Sequence, residues 1–239
     1  MSYLEHGLRR ALVLPALSLV VACGAPPEAD PETSVKPGIN RTYLDPELQV
    51  DAMVARFEVE SREIAASRDA VVAALGLEPG MDVADVGAGT GLFLEPLANE
   101  VGPGGSYVAV DIAEPFIAHL AERAAGLGLE QVSTQLCAED SVELPAESVD
   151  LVFVCDTYHH FEYPRSTTTS IHSALRDGGE LFVVDFERIP GVTRPWLLEH
   201  VRAGKQTVIA EIESFGFEFV EELKVAGLEE NYAIRFRKR

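Results

Sequence analysis

The stretch ADVGAGTG, residues 84–91, sets Asp85 two positions before the first of three glycines, Gly87, Gly89 and Gly91. Glycines at a strand-to-helix turn let the main chain take positive φ and let a ligand approach the backbone closely. The spacing excludes two common uses of such a turn. A dinucleotide loop, G-x-G-x-x-G, needs glycine at 92, which is Leu92, and a Walker loop needs Gly-Lys followed by Ser or Thr, which the chain lacks. Asp111 follows 26 residues after Asp85 at the end of the next apolar run, where a carboxylate can accept the protons of paired sugar hydroxyls. Further on, DTYHHFEYP (156–164) gathers Asp156, Tyr158, His159 and His160 in one short loop. Imidazole titrates in the range a general base requires, so His160 is the preferred base, with His159 and Tyr158 orienting. Adjacent histidines also arise as plain hydrogen-bonded lining. No metal is expected, because Asp156, His159 and His160 have no recognised ligand spacing and HExxH is absent.

Those residues need elements to hold them. Strand-length apolar runs at 81–87, 105–111, 131–140, 148–156 and 180–186 alternate with helical segments at 92–101, 115–128, 164–179 and 205–217. Near-continuous apolar strands separated by helices indicate a parallel sheet covered on both faces. Two further strands, 218–225 and 231–239, follow one another without a helix, which makes one of them antiparallel. The expected fold is α/β: a Rossmann-like, doubly wound, seven-stranded sheet, mostly parallel, with one antiparallel C-terminal strand. In that sheet Asp156 stands at the switch point between the first and fourth strands, where such folds bind ligands. A helix is expected from Pro46, capped by Asp45.

The chain has 239 residues and a formal charge of −20, with 47% hydrophobic residues. That suffices for a sizeable core, and the negative field disfavours nucleic acid and anionic surfaces as partners. Three cysteines, Cys23, Cys137 and Cys155, are too few for a disulfide framework. Near the ends of the third and fourth strands, Cys137 and Cys155 stand roughly 14 Å apart across the sheet, so two buried free thiols are expected.

The N-terminus reads differently. A basic end (LRR), eleven apolar residues (11–21) and Ala22–Cys23 have the order of a secretory signal, too short to span a bilayer as a helix. VVAC resembles the bacterial lipobox, whose cysteine becomes the lipidated first residue; Gly24 after it is compatible with outer-membrane sorting in that resemblance. The expected organisation is a signal at 1–22, a Pro-rich disordered tether at 23–43 and one domain at 44–239. The location implied is the bacterial cell envelope through a lipid anchor on Cys23, or the cytoplasm if the signal is not processed.

The pattern D-x-G-x-G-x-G, the acid ending the second strand, CAED (137–140), VDLVFVCD (149–156) and LRDGGELFVVDF (175–186) together resemble the class I S-adenosylmethionine (SAM)-dependent methyltransferases. RFEVESREI, DTYHHFEYP, HVRAGK and NYAIRF further resemble a subgroup of uncharacterised bacterial methyltransferase-domain lipoproteins, for which no substrate follows. The family resemblance implies that Asp85 steadies the methionine ammonium and that the backbone of Gly87, Ala88, Gly89 and Gly91 cradles the methionine end. It implies that Asp111, with Ile112 beside it, holds the ribose, that Glu139 and Asp140 contact the adenine, that Asp156 binds the cofactor at the switch point, and that Tyr158, His159 and His160 lie on the loop facing the methyl group. The function implied is SAM-dependent methyl transfer to a small-molecule acceptor. The alternative is a lipid-anchored, non-catalytic protein that binds SAM or another small ligand. A nicotinamide oxidoreductase is disfavoured by Leu92 and by the lack of a Tyr-x-x-x-Lys pair. Glu58 and Arg62 are candidates for a lid, His200, Arg202 and Lys205 for meeting an acidic acceptor, and Trp196 for lining its pocket. SAM is made in the cytosol, which sets the export signal and the cofactor loop in tension.

Overall fold

The computed structural model describes residues 32–60 and 62–239, excepting the side chains of 58–60 and 62. The signal, Cys23 and most of the tether lie outside the described residues, as do the side chains of Glu58 and Arg62. In chain order the elements are α1 (Val50–Glu60), α2 (Arg62–Ala66), α3 (Arg68–Leu75), β1 (Asp82–Val86), α4 (Leu94–Val101), β2 (Ser106–Asp111), α5 (Glu114–Leu127) and β3 (Val132–Leu136). Then come β4 (Val149–Cys155), a 3-10 turn at Tyr158–His160, α6 (Pro164–Ala174), β5 (Leu175–Phe186), α7 (Pro195–His200), α8 (Lys205–Ser214), β6 (Phe217–Leu223) and β7 (Asn231–Lys238).

Seven strands form one sheet in the order β3-β2-β1-β4-β5-β7-β6. All neighbours from β3 to β5 are parallel, and β7 runs antiparallel to both β5 and β6, as the pattern predicts. Alternation along the strands divides the core. Leu151 and Phe153 of β4 face a layer that includes Leu75, Leu97 and Leu120, whereas Val152 and Val154 face Ile171, Val208 and Ile212. Burying a side chain of this size contributes roughly 1.5–3 kcal/mol, so helices on both faces are the stable solution. Arg176 clamps the far end of the sheet, reaching Asp82 and Asp150 at 2.7 Å each.

Several boundaries differ from expectation. The helix after Asp45 begins at Val50, because the Asp45 carboxylate accepts the Glu47 N–H (2.9 Å) and makes a local turn first. β3 ends at Leu136, before CAED. Residues 175–179 belong to β5 rather than to the helix before it, since buried Leu175 pairs with Val149, with a register shift before Glu180. The largest correction concerns the tether: residues 32–43 pack on the domain. The Glu162 carboxylate, 6% exposed, accepts the Ser34 hydroxyl (2.7 Å) and the Gly38 N–H (3.2 Å). The Glu32 carboxylate accepts the Arg165 and Ser166 N–H groups that open α6 (3.0 and 2.7 Å), a favourable place for an anion. Composition suggested disorder, but these side chains satisfy backbone donors across more than a hundred residues of sequence.

Candidate active site

β1 ends in the glycine turn. Gly87 and Ala88 donate to the Val110 carbonyl (2.8 and 3.1 Å), which ties the turn to β2. Gly87 has φ +80°, and a Cβ there would lie 2.3 Å from Thr157. Both the left-handed backbone and the close approach therefore demand glycine. Gly87→Ala is expected to destabilise the protein by roughly 2–4 kcal/mol and to displace Thr157; a chemical-denaturation midpoint unchanged from wild type would contradict this.

Asp85 is 2% exposed and Asp111 6%. Tyr107, from the neighbouring strand, donates its hydroxyl to Asp85 at 2.8 Å. Asp111 accepts the Gly89 N–H on one oxygen (2.8 Å) and the Ala113 N–H on the other (2.9 Å), which fixes the carboxylate plane and leaves a lone pair on each oxygen. Burial pushes Asp85 up to about 7, opposed by the Tyr107 bond and aided by the nearby Asp111 charge. Burial likewise pushes Asp111 up to about 6 against its backbone hydrogen bonds. Two buried carboxyls, with no salt bridge to either among the described residues, form a seat for a positively charged, hydroxyl-bearing ligand.

These groups open into a cavity of about 360 Å³. One half is walled by Asp85, the glycine turn, Asp111, Ile112 and Glu139, and the other by Asp156, Thr157, His159, His160, Trp196 and His200. Asp140 is exposed and outside the lining, because the chain leaves β3 four residues early. Asp156 takes φ +47° and accepts the Asn231 amide at 2.6 Å, so the last residue at the switch point is held in an uncommon conformation by β7.

His159 is 3% exposed, and its Nδ1 lies 2.8 Å from Asp185 at the end of β5. That carboxylate also accepts the His159 and Phe186 N–H groups (3.0 and 2.7 Å). Asp185 thus locks the imidazole and leaves Nε2 as its free nitrogen. His160 Nδ1 sits 3.2 Å from the Asn40 Oδ1. Burial first, then the neighbouring His159 and His200, holds His160 well below the usual imidazole range. His200 is pushed down to about 4, by burial and then by His159. His200 and Trp196 reach the cavity from α7, as their candidacy requires.

Tyr158 does not join them. It is fully buried on the opposite side, with its hydroxyl 3.1 Å from Glu211 and the Arg202 guanidinium over its ring. The 3-10 turn points Tyr158 into the core, whereas His159 and His160 both line the cavity. Arg202 is occupied by both oxygens of Glu211 (2.9 and 2.8 Å), and Lys205 pairs with Glu187 and Glu222, so neither faces an acceptor.

The docked segment 32–43 supplies a wall that the sequence did not suggest. Asn40, 3% exposed, donates to Glu139 (3.3 Å) and to the His160 carbonyl (3.2 Å). Tyr43 stands edge-on to His160 at 5.3 Å and near Phe57 and Phe116. Tyr107 and Asp185 were also missed. Asp185 had a signal, since it ends an apolar strand just as Asp85, Asp111 and Asp156 do. Cys137 and Cys155 are free thiols but half-buried rather than buried, because both line the cavity. Burial raises Cys137 to about 12 and Cys155 well above its usual value, so both remain protonated and weakly nucleophilic.

Sheet order, glycine turn and switch-point cavity are those of a Rossmann-like methyltransferase fold. Residues 84–181 match the family model described as a methyltransferase domain. Nocamycin O-methyltransferase of Saccharothrix syringae is 36% identical over 53% of this chain and 45% of its own length. The ubiquinone/menaquinone biosynthesis C-methyltransferase UbiE of Bordetella parapertussis is 28% identical over 47% of this chain and 43% of its own. The chain thus spans less than half the length of these curated relatives. A SAM-dependent methyltransferase structure from Aquifex aeolicus superposes with a TM-score of 0.70 at 24% identity, covering 82% of this chain and 99% of that one.

Proposed function

We propose that the protein transfers a methyl group from SAM to a small-molecule acceptor bound beside the histidines. The observation that carries this reading is the single cavity joining the Asp85–Asp111 carboxyls to the His159–Asp185 pair. In-line displacement at a sulfonium asks mainly for positioning: the acceptor forms its bond to the methyl carbon as the carbon–sulfur bond breaks, and the sulfur keeps that electron pair. An acceptor that arrives protonated must also lose its proton. His159, locked by Asp185 with Nε2 free, is better placed for this than His160, the base preferred from sequence. Phe186 and Trp196 offer flat apolar surface to an acceptor of moderate size. The names of the two curated relatives, an O- and a C-methyltransferase, support a small molecule as acceptor, and the charge of −20 makes nucleic acid a poor partner.

The envelope anchor through Cys23 belongs to this proposal on the strength of the N-terminal pattern alone. It requires the protein to meet SAM before or without export, or to have another supply. The test is transfer from methyl-labelled SAM into the small-molecule fraction of a host-cell extract. His159→Ala is expected to lower the rate by about 10²–10⁴-fold while SAM binding persists. Wild-type protein that binds SAM yet labels no fraction would favour the non-catalytic, lipid-anchored alternative.

A further inference from the structure

His159 and His160 leave the turn after β4, and His200 ends α7 forty residues later, yet one ring nitrogen of each lies within 4.8 Å of one from each of the others. Their ring centroids are 4.4, 5.0 and 5.0 Å apart. Three imidazoles on one tetrahedral ion, with metal–nitrogen bonds of about 2.0–2.1 Å, have ring centres roughly 5 Å apart and bonding nitrogens roughly 3.4 Å apart. The centres already stand at that spacing, with the candidate ligand atoms within 4.8 Å of one another. The ring planes cross at 44°, 73° and 65°, a fan rather than a stack.

The surroundings match what a metal-binding imidazole needs. Asp185 holds Nδ1 of His159 at 2.8 Å, and the Asn40 carbonyl oxygen stands 3.2 Å from Nδ1 of His160. A carboxylate or carbonyl on the remote nitrogen is the usual partner of a ligating histidine, and it leaves Nε2 for the ion. Sequence spacing concealed the set, because the third member is His200 and not Asp156.

We propose that His159, His160 and His200 form a three-imidazole site for a divalent first-row transition ion at the acceptor end of the cavity. The all-nitrogen donor set suits Zn²⁺ and disfavours Mg²⁺ or Ca²⁺, which take oxygen ligands. Three protein ligands leave a fourth position open toward the cavity. The binding stands independently of methyl transfer, and only the role rests on that reading. The ion would draw an acceptor oxygen to the fourth position and ease the loss of its proton to solvent, replacing a free imidazole as the activating group.

The test titrates Co²⁺ into the full-length protein after chelator treatment, following the visible ligand-field absorption of tetrahedral cobalt. One Co²⁺ per chain is expected, saturating in the micromolar range and displaced by one equivalent of Zn²⁺. His200→Ala, on a short peripheral helix, is expected to weaken binding by about 100-fold or more. Asp185→Asn, which touches no ion, should weaken it by about 10–100-fold. Circular dichroism checks that each variant is folded. SAM binding is measured on the same samples, and Asp111→Ala should lose it while keeping the cobalt spectrum, so the two readings fail separately. No saturable cobalt binding, or binding undiminished in His200→Ala, overturns the proposal.

Discussion

Asp111→Ala is expected to weaken SAM binding by at least about 100-fold, read as the dissociation constant by calorimetry. The carboxylate lies at the end of β2 with each oxygen already holding one backbone N–H, so its remaining lone pairs point where a ribose diol would present two donors. Hydrogen bonds to a charged group contribute roughly 1.5–3 kcal/mol each, and two of them account for roughly 100-fold or more. The substitution also orphans the Gly89 and Ala113 N–H groups and loosens the glycine turn, which pushes in the same direction. Asp111→Asn separates the effects: it preserves shape and one acceptor oxygen, and should fall between wild type and alanine. Wild-type affinity in the alanine variant would remove Asp111 from the cofactor site.

Acid should release the cofactor well above the usual carboxylate range. Burial penalises both charges, pushing the Asp85 carboxyl up to about 7 and that of Asp111 up to about 6. A ligand bearing an ammonium group binds the ionised forms. Lowering the pH from 8 to 5.5 reduces the ionised fraction of Asp85 by about 30-fold and that of Asp111 by about a further fourfold. SAM affinity should fall accordingly, and Asp85→Asn should bind weakly with a flatter pH profile. Tyr107→Phe removes the hydroxyl that stabilises the Asp85 carboxylate, so its profile should shift to higher pH. The unliganded protein should show the opposite trend in stability. Its folded state holds these protons more tightly than the unfolded chain, so stability present at low pH is lost as the pH rises from about 4 through about 7. A pH-independent dissociation constant between 5.5 and 8 would contradict the assignment.

Much of the cofactor half was legible because it is written locally. The order of strands and helices follows from apolar periodicity, and Asp85, the three glycines and Asp111 sit at strand ends that this periodicity locates. Glu139 follows from the same logic, whereas Asp140 failed because the end of a strand is poorly marked when the following loop is mixed in character. Tyr158 failed for a related reason: a 3-10 turn points successive residues about 120° apart, and sequence alone does not say which of Tyr158, His159 and His160 face the cavity.

The acceptor half was decided by tertiary structure. His159 gains meaning from Asp185, 26 residues away on the next parallel strand, and His200 joins the two loop histidines only because α7 folds back over the carboxyl end of the sheet. Asn40 and Tyr43 enter from a segment that composition assigns to disorder, held down by Glu32 and Glu162. The sequence by itself determined the α/β sheet, the single antiparallel strand and the cofactor loop, since those depend on near-neighbour periodicity and backbone conformation. Which side chains meet at the far end of the cavity depended on contacts between elements distant in the chain, and such contacts leave no periodic trace in the residues that make them.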